Sequence, residues 1–398
     1  MKFKYLKNKI LTGMMVAAIM AAVFTGCKTK ENSIDTSEVV EEETTAEESD
    51  AESDEIYSDR DMEQTVDLTD AKYIEVADGE DVNLTEEGIY VISGEAEDVT
   101  INVENEEAKI QIVLDGVSIT NTDSPAIYVK AADKVFVTTT EGSENNLEVT
   151  GEYIIDGEEN LDAVIYSKDD LTLNGLGTIK ITSSQGNGIS GKDDVVITGG
   201  TYNITAGKHG VEANDLMAIC GGTFTIDATK DGLQSAAVLQ VDGGTFDINA
   251  REAIEATEIT INDGKITVEA SDDGINATQK TENMDVFVTI NGGEVTITMG
   301  QGDTDAIDAN GSIIINGGTI DISANSPFDY DGTGEMNGGT VTVNGETVTE
   351  MTNQTFGGME GGMEGEMGGF GGPRLENGMQ NSMPGDMPNN MQDNMLNN

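Results

Sequence analysis

The sequence predicts an all-β chain, wound as a right-handed, single-stranded parallel β-helix with coils of about 22 residues. Two repeating features predict it. Several stretches share one form: VVITGGTYNIT, MAICGGTFTID, LQVDGGTFDIN, ITINDGKITVE, VTINGGEVTIT and IIINGGTIDIS. Each is an alternating strand, a Gly-containing turn and a second alternating strand. The turn glycines begin at Gly199, Gly221, Gly243, Gly292, Gly317 and Gly338, with Asp263-Gly264 between the third and the fourth. A second marker, a small residue and then an aliphatic, keeps the same step. It occurs at Ala163-Val164, Gly188-Ile189, Gly210-Val211, Gly232-Leu233, Ala253-Ile254, Gly274-Ile275 and Ala306-Ile307. Two markers in one phase mean one coil per repeat, each strand pairing with the coils above and below at about 4.8 Å.

Residues 1–27 carry Lys2, Lys4, Lys7 and Lys9, then an apolar run from Ile10 to Phe24, then FTGC. The apolar run is short for a membrane span, and the pattern reads as a bacterial lipoprotein signal. Cys27 is then the lipidated new N-terminus, and the protein is extracellular, held on the outer face of the cytoplasmic membrane by that lipid alone. Residues 28–69 contain EVVEEETTAEESDAESDE. Such a segment repels itself and buries little, so a disordered tether is expected. Residues 70–350 form the β-helix, with irregular first coils from Tyr73 to Glu158 and one longer insertion near Thr278 to Asp285. Residues 351–398 are rich in Gly, Met and Asn, with Met379, Met383, Met387, Met391 and Met395 at every fourth position. This segment is expected to be a disordered tail.

Composition narrows the function. The formal net charge is −55, which repels nucleic acid and attracts cations. There is no Trp, and only 9 Phe and 9 Tyr, so aromatic platforms for sugars are scarce. With Cys27 lipidated, Cys220 has no partner, and stability must come from packing, hydrogen bonds and metal.

The chain resembles a bacterial secreted carbohydrate-binding domain family with a pectate-lyase-like right-handed parallel β-helix. The resembling segments are GIYVISGEAEDVTINV, VLDGVSITNTDSPAIYVKAADKV, TTEGSENNLE, SKDDLTLNGLGTIKIT, ASDDGINAT and DAIDANGSIIINGGTIDIS, across roughly residues 70 to 346. The resemblance implies binding of plant cell-wall polysaccharide of the pectin or cellulose type, with calcium and without established catalysis.

Aligning coils on the small-aliphatic marker creates two rows that flank an inward aliphatic and are expected to face outward. One holds Asp162, Asn187, His209, Asp231, Glu252, Asp273 and Asp305; the other holds Ser190, Glu212, Gln234, Glu255, Asn276 and Asp308. Two like charges about 5 Å apart repel by roughly 0.8 kcal/mol in water and about 3 kcal/mol at an effective dielectric of 20. Stacked acids therefore call for a hard cation such as calcium, which takes six to eight oxygens. The expected ligands are Asp272, Asp273 and Asn276; Asp303, Asp305, Asp308 and Asn310; and Asp329 with Asp331. Lys208, Lys230 and Arg251 stand one position earlier on successive coils, next to His209, the only histidine. They form either an ion-pair ladder or a cationic track for the carboxylates of polygalacturonate or a similar polymer.

The reading is a surface-anchored, calcium-assisted polysaccharide-binding module without catalytic activity. The alternatives are a calcium-dependent polysaccharide lyase, with Lys208, Lys230 or Arg251 as base, and a structural spacer or adhesin.

Overall fold

The structure is a computed structural model that describes residues 56–157, 159–301 and 304–353. Cys27, Asp303 and the Met-rich tail lie outside the described residues. The described residues contain strands and no α-helix, wound into a β-solenoid of about 11 turns of roughly 23 residues. This is the fold class the repeats predict. From Ala163 onward each coil contributes three strands, and each strand pairs in parallel with the equivalent strand one coil on. One ladder runs from Ala163–Ser167 to Ser326–Tyr330, a second from Leu171–Gly175 to Gly334–Met336, and a third from Thr178–Ser183 to Thr340–Val343.

The inward positions explain the repeat. Ile189, Val211, Leu233, Ile254, Ile275, Ile307 and Phe328 pair in one column and are all fully buried. On the third ladder Tyr202, Phe224 and Phe246 stack with ring centroids 5.0 and 4.7 Å apart. The turn glycines are required twice over. A Cβ on Gly317 would lie 2.3 Å from the Asn291 carbonyl of the coil before, and Gly318 has φ of +87°. Asparagines before these turns bond along the axis: Asn291 to Asn262 (2.7 Å), Asn316 to Asn291 (2.8 Å) and Asn337 to Asn316 (3.0 Å).

The first coils are irregular because one strand, Ile101–Asn121, is 21 residues long and serves four neighbours, with register shifts along the way. Residues 56–69, at the end of the segment expected to be a disordered tether, are part of the fold. Asp61 is 1 % exposed, pairs with Lys134 at 2.7 Å and accepts from the Thr172 hydroxyl at 2.5 Å. Gln64 bonds Thr198 and the Gly175 amide, Arg60 lies 4.1 Å over the Phe136 ring, and the Tyr57 hydroxyl donates to Asp242 at 2.7 Å. These residues strap the outer face of the second ladder. The acidic composition hid this, because Asp61 is neutralised by a lysine 73 positions away rather than by a neighbour.

Candidate functional site

The acidic rows lie on the outer face of the first ladder. Asp231 pairs with Glu252, Asp273 with Asp305 and Asp305 with Ser326; in the companion row Glu212, Gln234, Glu255, Asn276, Asp308 and Asp329 pair in succession. The column of acids is therefore continuous in space. Its start differs from the sequence alignment by one residue. Ile165, not Val164, pairs with Ile189, so Ala163 stands opposite Asn187 and Asp162 falls outside the row.

Two halves of the column differ in how charge is neutralised. In the first half every carboxylate has a basic side chain beside it. Lys192 bonds Glu212 at 3.1 Å, His209 Nδ1 lies 2.9 Å from Asp231, and Lys280 lies 2.6 Å from Glu255. The Arg251 guanidinium contacts Glu252, Asp231 (3.5 Å) and Asp272 (2.5 Å). These acids were expected to be exposed, yet Asp231, Glu252 and Glu255 are only 1 %, 4 % and 6 % exposed. The insertion contributes to this cover. It folds back so that the Lys280 and Thr281 amides donate to the Thr257 hydroxyl, which brings Lys280 onto Glu255. Burial raises Asp231, but His209 and Arg251 more than offset it and hold the carboxyl below its ordinary range. Glu212 is likewise held low by Lys192 and Ser190 against its burial. Glu255 is pushed up to about 8, by burial first and then by Asp231 and Glu252.

In the second half the cations stop. Among the described residues, Asp273, Asp308, Asp329 and Asp331 have no lysine, arginine or histidine within ion-pair distance. Burial and the neighbouring Asp308 push Asp273 up to about 7; burial, Asp305 and Asp329 push Asp308 up to about 7. Asn276 sits between Glu255 and Asp308 in the row and is 8 % exposed. Its Nδ2 donates to Glu252 (3.1 Å) and Asp273 (3.3 Å), while its buried Oδ1 has no hydrogen-bond partner among the described residues. A buried acceptor without a donor is costly. Carboxylate oxygens of Glu252, Asp272 and Asp273 come within 4.8 Å of one another.

The residues read from sequence as metal ligands thus converge. Asp272 and Asp273 come together with Glu252, while Asp273 and Asp305, Asn276 and Asp308, and Asp308 and Asp329 are neighbours in register on successive coils, and Asp331 lies close enough to raise Asp308. Asn310 is at the edge, exposed, accepting from the Thr278 hydroxyl at 2.8 Å. The three cations do not share one role. Lys208 pairs with Asp162 at 3.3 Å and Arg251 is engaged by three carboxylates, whereas Lys230 is exposed and makes no ion pair among the described residues. The sequence reading missed Glu252 as a member of the metal-type cluster and Lys280 as a counter-ion. The first was within reach, since Glu252 already stood in the row; the second was not, because it depends on how the insertion folds back.

Comparisons with known proteins place the chain in a family. A family model described as "Carbohydrate-binding domain-containing protein" matches residues 78–258 and 230–361. A protein of the same description from Acetivibrio thermocellus is 39 % identical over 129 residues, which is 32 % of this chain and 45 % of that protein. The match therefore spans less than half of the relative's length. Among solved structures, a polysaccharide lyase-like protein from C. thermocellum, a gadolinium derivative, is 26 % identical over 69 % of this chain and 94 % of its own, with a TM-score of 0.40. With the family model covering well over half of its length, the chain belongs to the carbohydrate-binding domain-containing protein family.

Proposed function

We propose that the cation-poor half of the acidic column holds calcium, and that this calcium bridges the protein to the carboxylates of an acidic, pectin-type polysaccharide. The observation that carries the reading is the succession of Asp273, Asn276, Asp305, Asp308 and Asp329 over three coils, with a buried amide oxygen that meets no donor among the described residues. Carboxylate and amide oxygens on adjacent coils are the donor set that a hard, oxygen-seeking cation takes, and an orphaned acceptor is satisfied by such an ion. Calcium would supply positive charge and open coordination positions beside Asp273, Asp308 and Asp329, which pair with no lysine or arginine among the described residues. Asp273, Asp305 and Asp308 would hold it, with Asn276 as the neutral ligand. Lys230, exposed beside Asp231 two coils earlier, adds a cation for sugar carboxylates.

The action is binding without turnover. Lyase chemistry needs a basic side chain free to take a proton beside the cation; Lys208 and Arg251 are engaged by Asp162, Asp231, Glu252 and Asp272, and Lys230, which makes no ion pair among the described residues, stands beside Asp231, two coils before Asp273. The lipoprotein-type start at Cys27 supports a place on the outer face of the cytoplasmic membrane.

The test is retention of the protein on immobilised polygalacturonate with calcium or with excess EDTA. Retention that requires calcium, is lost in Asp308→Asn, and yields no ultraviolet-absorbing unsaturated product is the expected result. Equal retention in EDTA removes calcium from the reading; product formation replaces binding with a lyase.

A further inference from the structure

The outer row that carries the acids begins two coils before Ser190, where the sequence alignment starts it. Tyr128 pairs with Tyr166, Tyr166 with Ser190, and Ser190 with Glu212. The row therefore opens with two tyrosines on adjacent coils, their ring centroids 5.8 Å apart at 75°. In a protein of net charge −55, this is where cations gather. Lys130 Nζ lies 5.2 Å from the Tyr128 ring centre and Lys192 Nζ lies 5.4 Å from that of Tyr166, while Lys192 also bonds Glu212.

Two carboxylates of the same chain engage this shelf. The Tyr128 hydroxyl donates to Asp156 and the Tyr166 hydroxyl to Glu159, both at 3.2 Å; Lys168 bonds Glu159 at 3.1 Å. Asp156 is exposed and Glu159 is half-buried. The main chain there is held by a two-residue pairing, Ile155 with Asn160 and Asp156 with Glu159, and at its base by the Ile154 amide donating to the Asp123 carbonyl at 3.0 Å and the Leu161 amide to the Ile154 carbonyl at 3.4 Å. Long hydroxyl-to-carboxylate bonds and one partly exposed ion pair are weak attachments. Ile154 and Ile155, 43 % and 70 % exposed, add no packing.

We propose that the Tyr128–Tyr166 pair is a subsite for one ring of an acidic sugar polymer, with Lys130, Lys168 and Lys192 as its cations, and that Asp156 and Glu159 stand in for the sugar's carboxylate and oxygens in the conformation described. Tyrosine rings offer an apolar face to a sugar ring and a hydroxyl to its oxygens, and the lysines match its carboxylate. Tyr128 and Tyr166 are 5 % and 1 % exposed, so the sugar enters only as Asp156 and Glu159 leave. The subsite lies on the same row as the proposed calcium group, so one polymer running along the axis meets both; in this respect it rests on the reading that the row binds acidic polysaccharide. It uses lysines, however, and needs no metal.

The test uses the full chain and tetragalacturonate, with cellotetraose as the neutral control, by calorimetry and by tyrosine fluorescence, the chain having no Trp. All titrations are run in excess EDTA, which silences any calcium bridge. Asp156→Asn with Glu159→Gln should bind tetragalacturonate about fivefold more tightly than the native protein, with a change in tyrosine emission and no gain for cellotetraose. Adding Tyr166→Leu should abolish the gain, and adding Tyr166→Phe, which keeps the ring and its packing, should retain most of it. An unchanged affinity in the double variant, or a gain that survives Tyr166→Leu in a protein with native melting behaviour, overturns the subsite. If Tyr166→Leu does not fold, the gain in the double variant and its persistence in Tyr166→Phe decide instead. Loss of calcium-dependent retention on polygalacturonate, by contrast, would sink the calcium reading and leave this result standing.

Discussion

The Asp305 amide donates to the Asp273 carboxylate at 3.3 Å although 32 residues separate them. Elsewhere in the column the step between coils is shorter, as in Asn187 to His209, 22 residues. The insertion is looped out without disturbing the pairing on either side, so the acids meet across it. The two acidic clusters, separated in sequence by the insertion, are neighbours on adjacent coils.

Calcium should stabilise the fold through this meeting point. A ligand at one hundred times its Kd adds about 2.7 kcal/mol, so the melting temperature should rise by about 5 °C or more in calcium and fall back in EDTA. Differential scanning calorimetry of the full chain checks this. Identical curves in both buffers would exclude a bound structural cation.

Without metal, stability should rise as the solution is acidified from pH 8 to pH 5. Asp273 and Asp308 are raised to about 7 and Glu255 to about 8, above their unfolded values. Between those values the folded chain binds more protons than the unfolded one, so the stability these groups forfeit at high pH returns as pH falls through 8 and 7 toward 5. The groups held low, Asp231 and Glu212, act in the opposite sense only below about pH 4. A melting temperature in EDTA roughly 3 °C higher at pH 5 than at pH 8 is expected, and Asp308→Asn should flatten the trend.

Removing the strap should cost more than its length suggests. Asp61→Ala leaves Lys134, whose side chain is 19 % exposed, without its anion and the Thr172 hydroxyl without its acceptor. The expected loss is about 2–4 kcal/mol in urea unfolding. Tyr57→Phe removes only the bond to Asp242 and should cost about 1 kcal/mol. A null effect of both would mean that residues 56–69 are not held against the ladder in solution.

The two exposed cations of the row should separate by assay. Arg251→Ala strips three carboxylates of their partner and should lower the melting temperature by several degrees. Lys230→Ala should leave melting within about 1 °C while weakening retention on polygalacturonate about threefold. Unaltered retention in Lys230→Ala would confine the cations of this face to pairing within the protein.

The repeat made the fold legible, because every inward aliphatic is copied on the next coil and each turn glycine answers a carbonyl of the coil before. The acidic column was legible for the same reason. What could not be read were contacts that cross the repeat. Lys280 reaches Glu255 only because the insertion folds back, and Asp61 reaches Lys134 only because an acidic segment lies down on the solenoid. Burial of Asp231 and Glu252 was hidden too, since outward alternation says which way a side chain points and not what covers it. The one-residue slip at Ala163 concealed Tyr166, which aligning on Ile165 would have put in the row.

Identical rungs pose a question of counting. A strand in this solenoid that slipped by a whole coil would still bury its aliphatics, and Asn316 would find an asparagine whether it met Asn291 or Asn262. The amide chain therefore enforces phase but cannot number the coils. The numbering falls to features that occur once: the Tyr202, Phe224 and Phe246 stack, and the strap whose Tyr57 bonds the one aspartate, Asp242, at the head of the asparagine file. Asp242 accepts from Asn262 and Tyr57 together, so the amino-terminal strap acts as a fiducial mark against which the later coils are tallied.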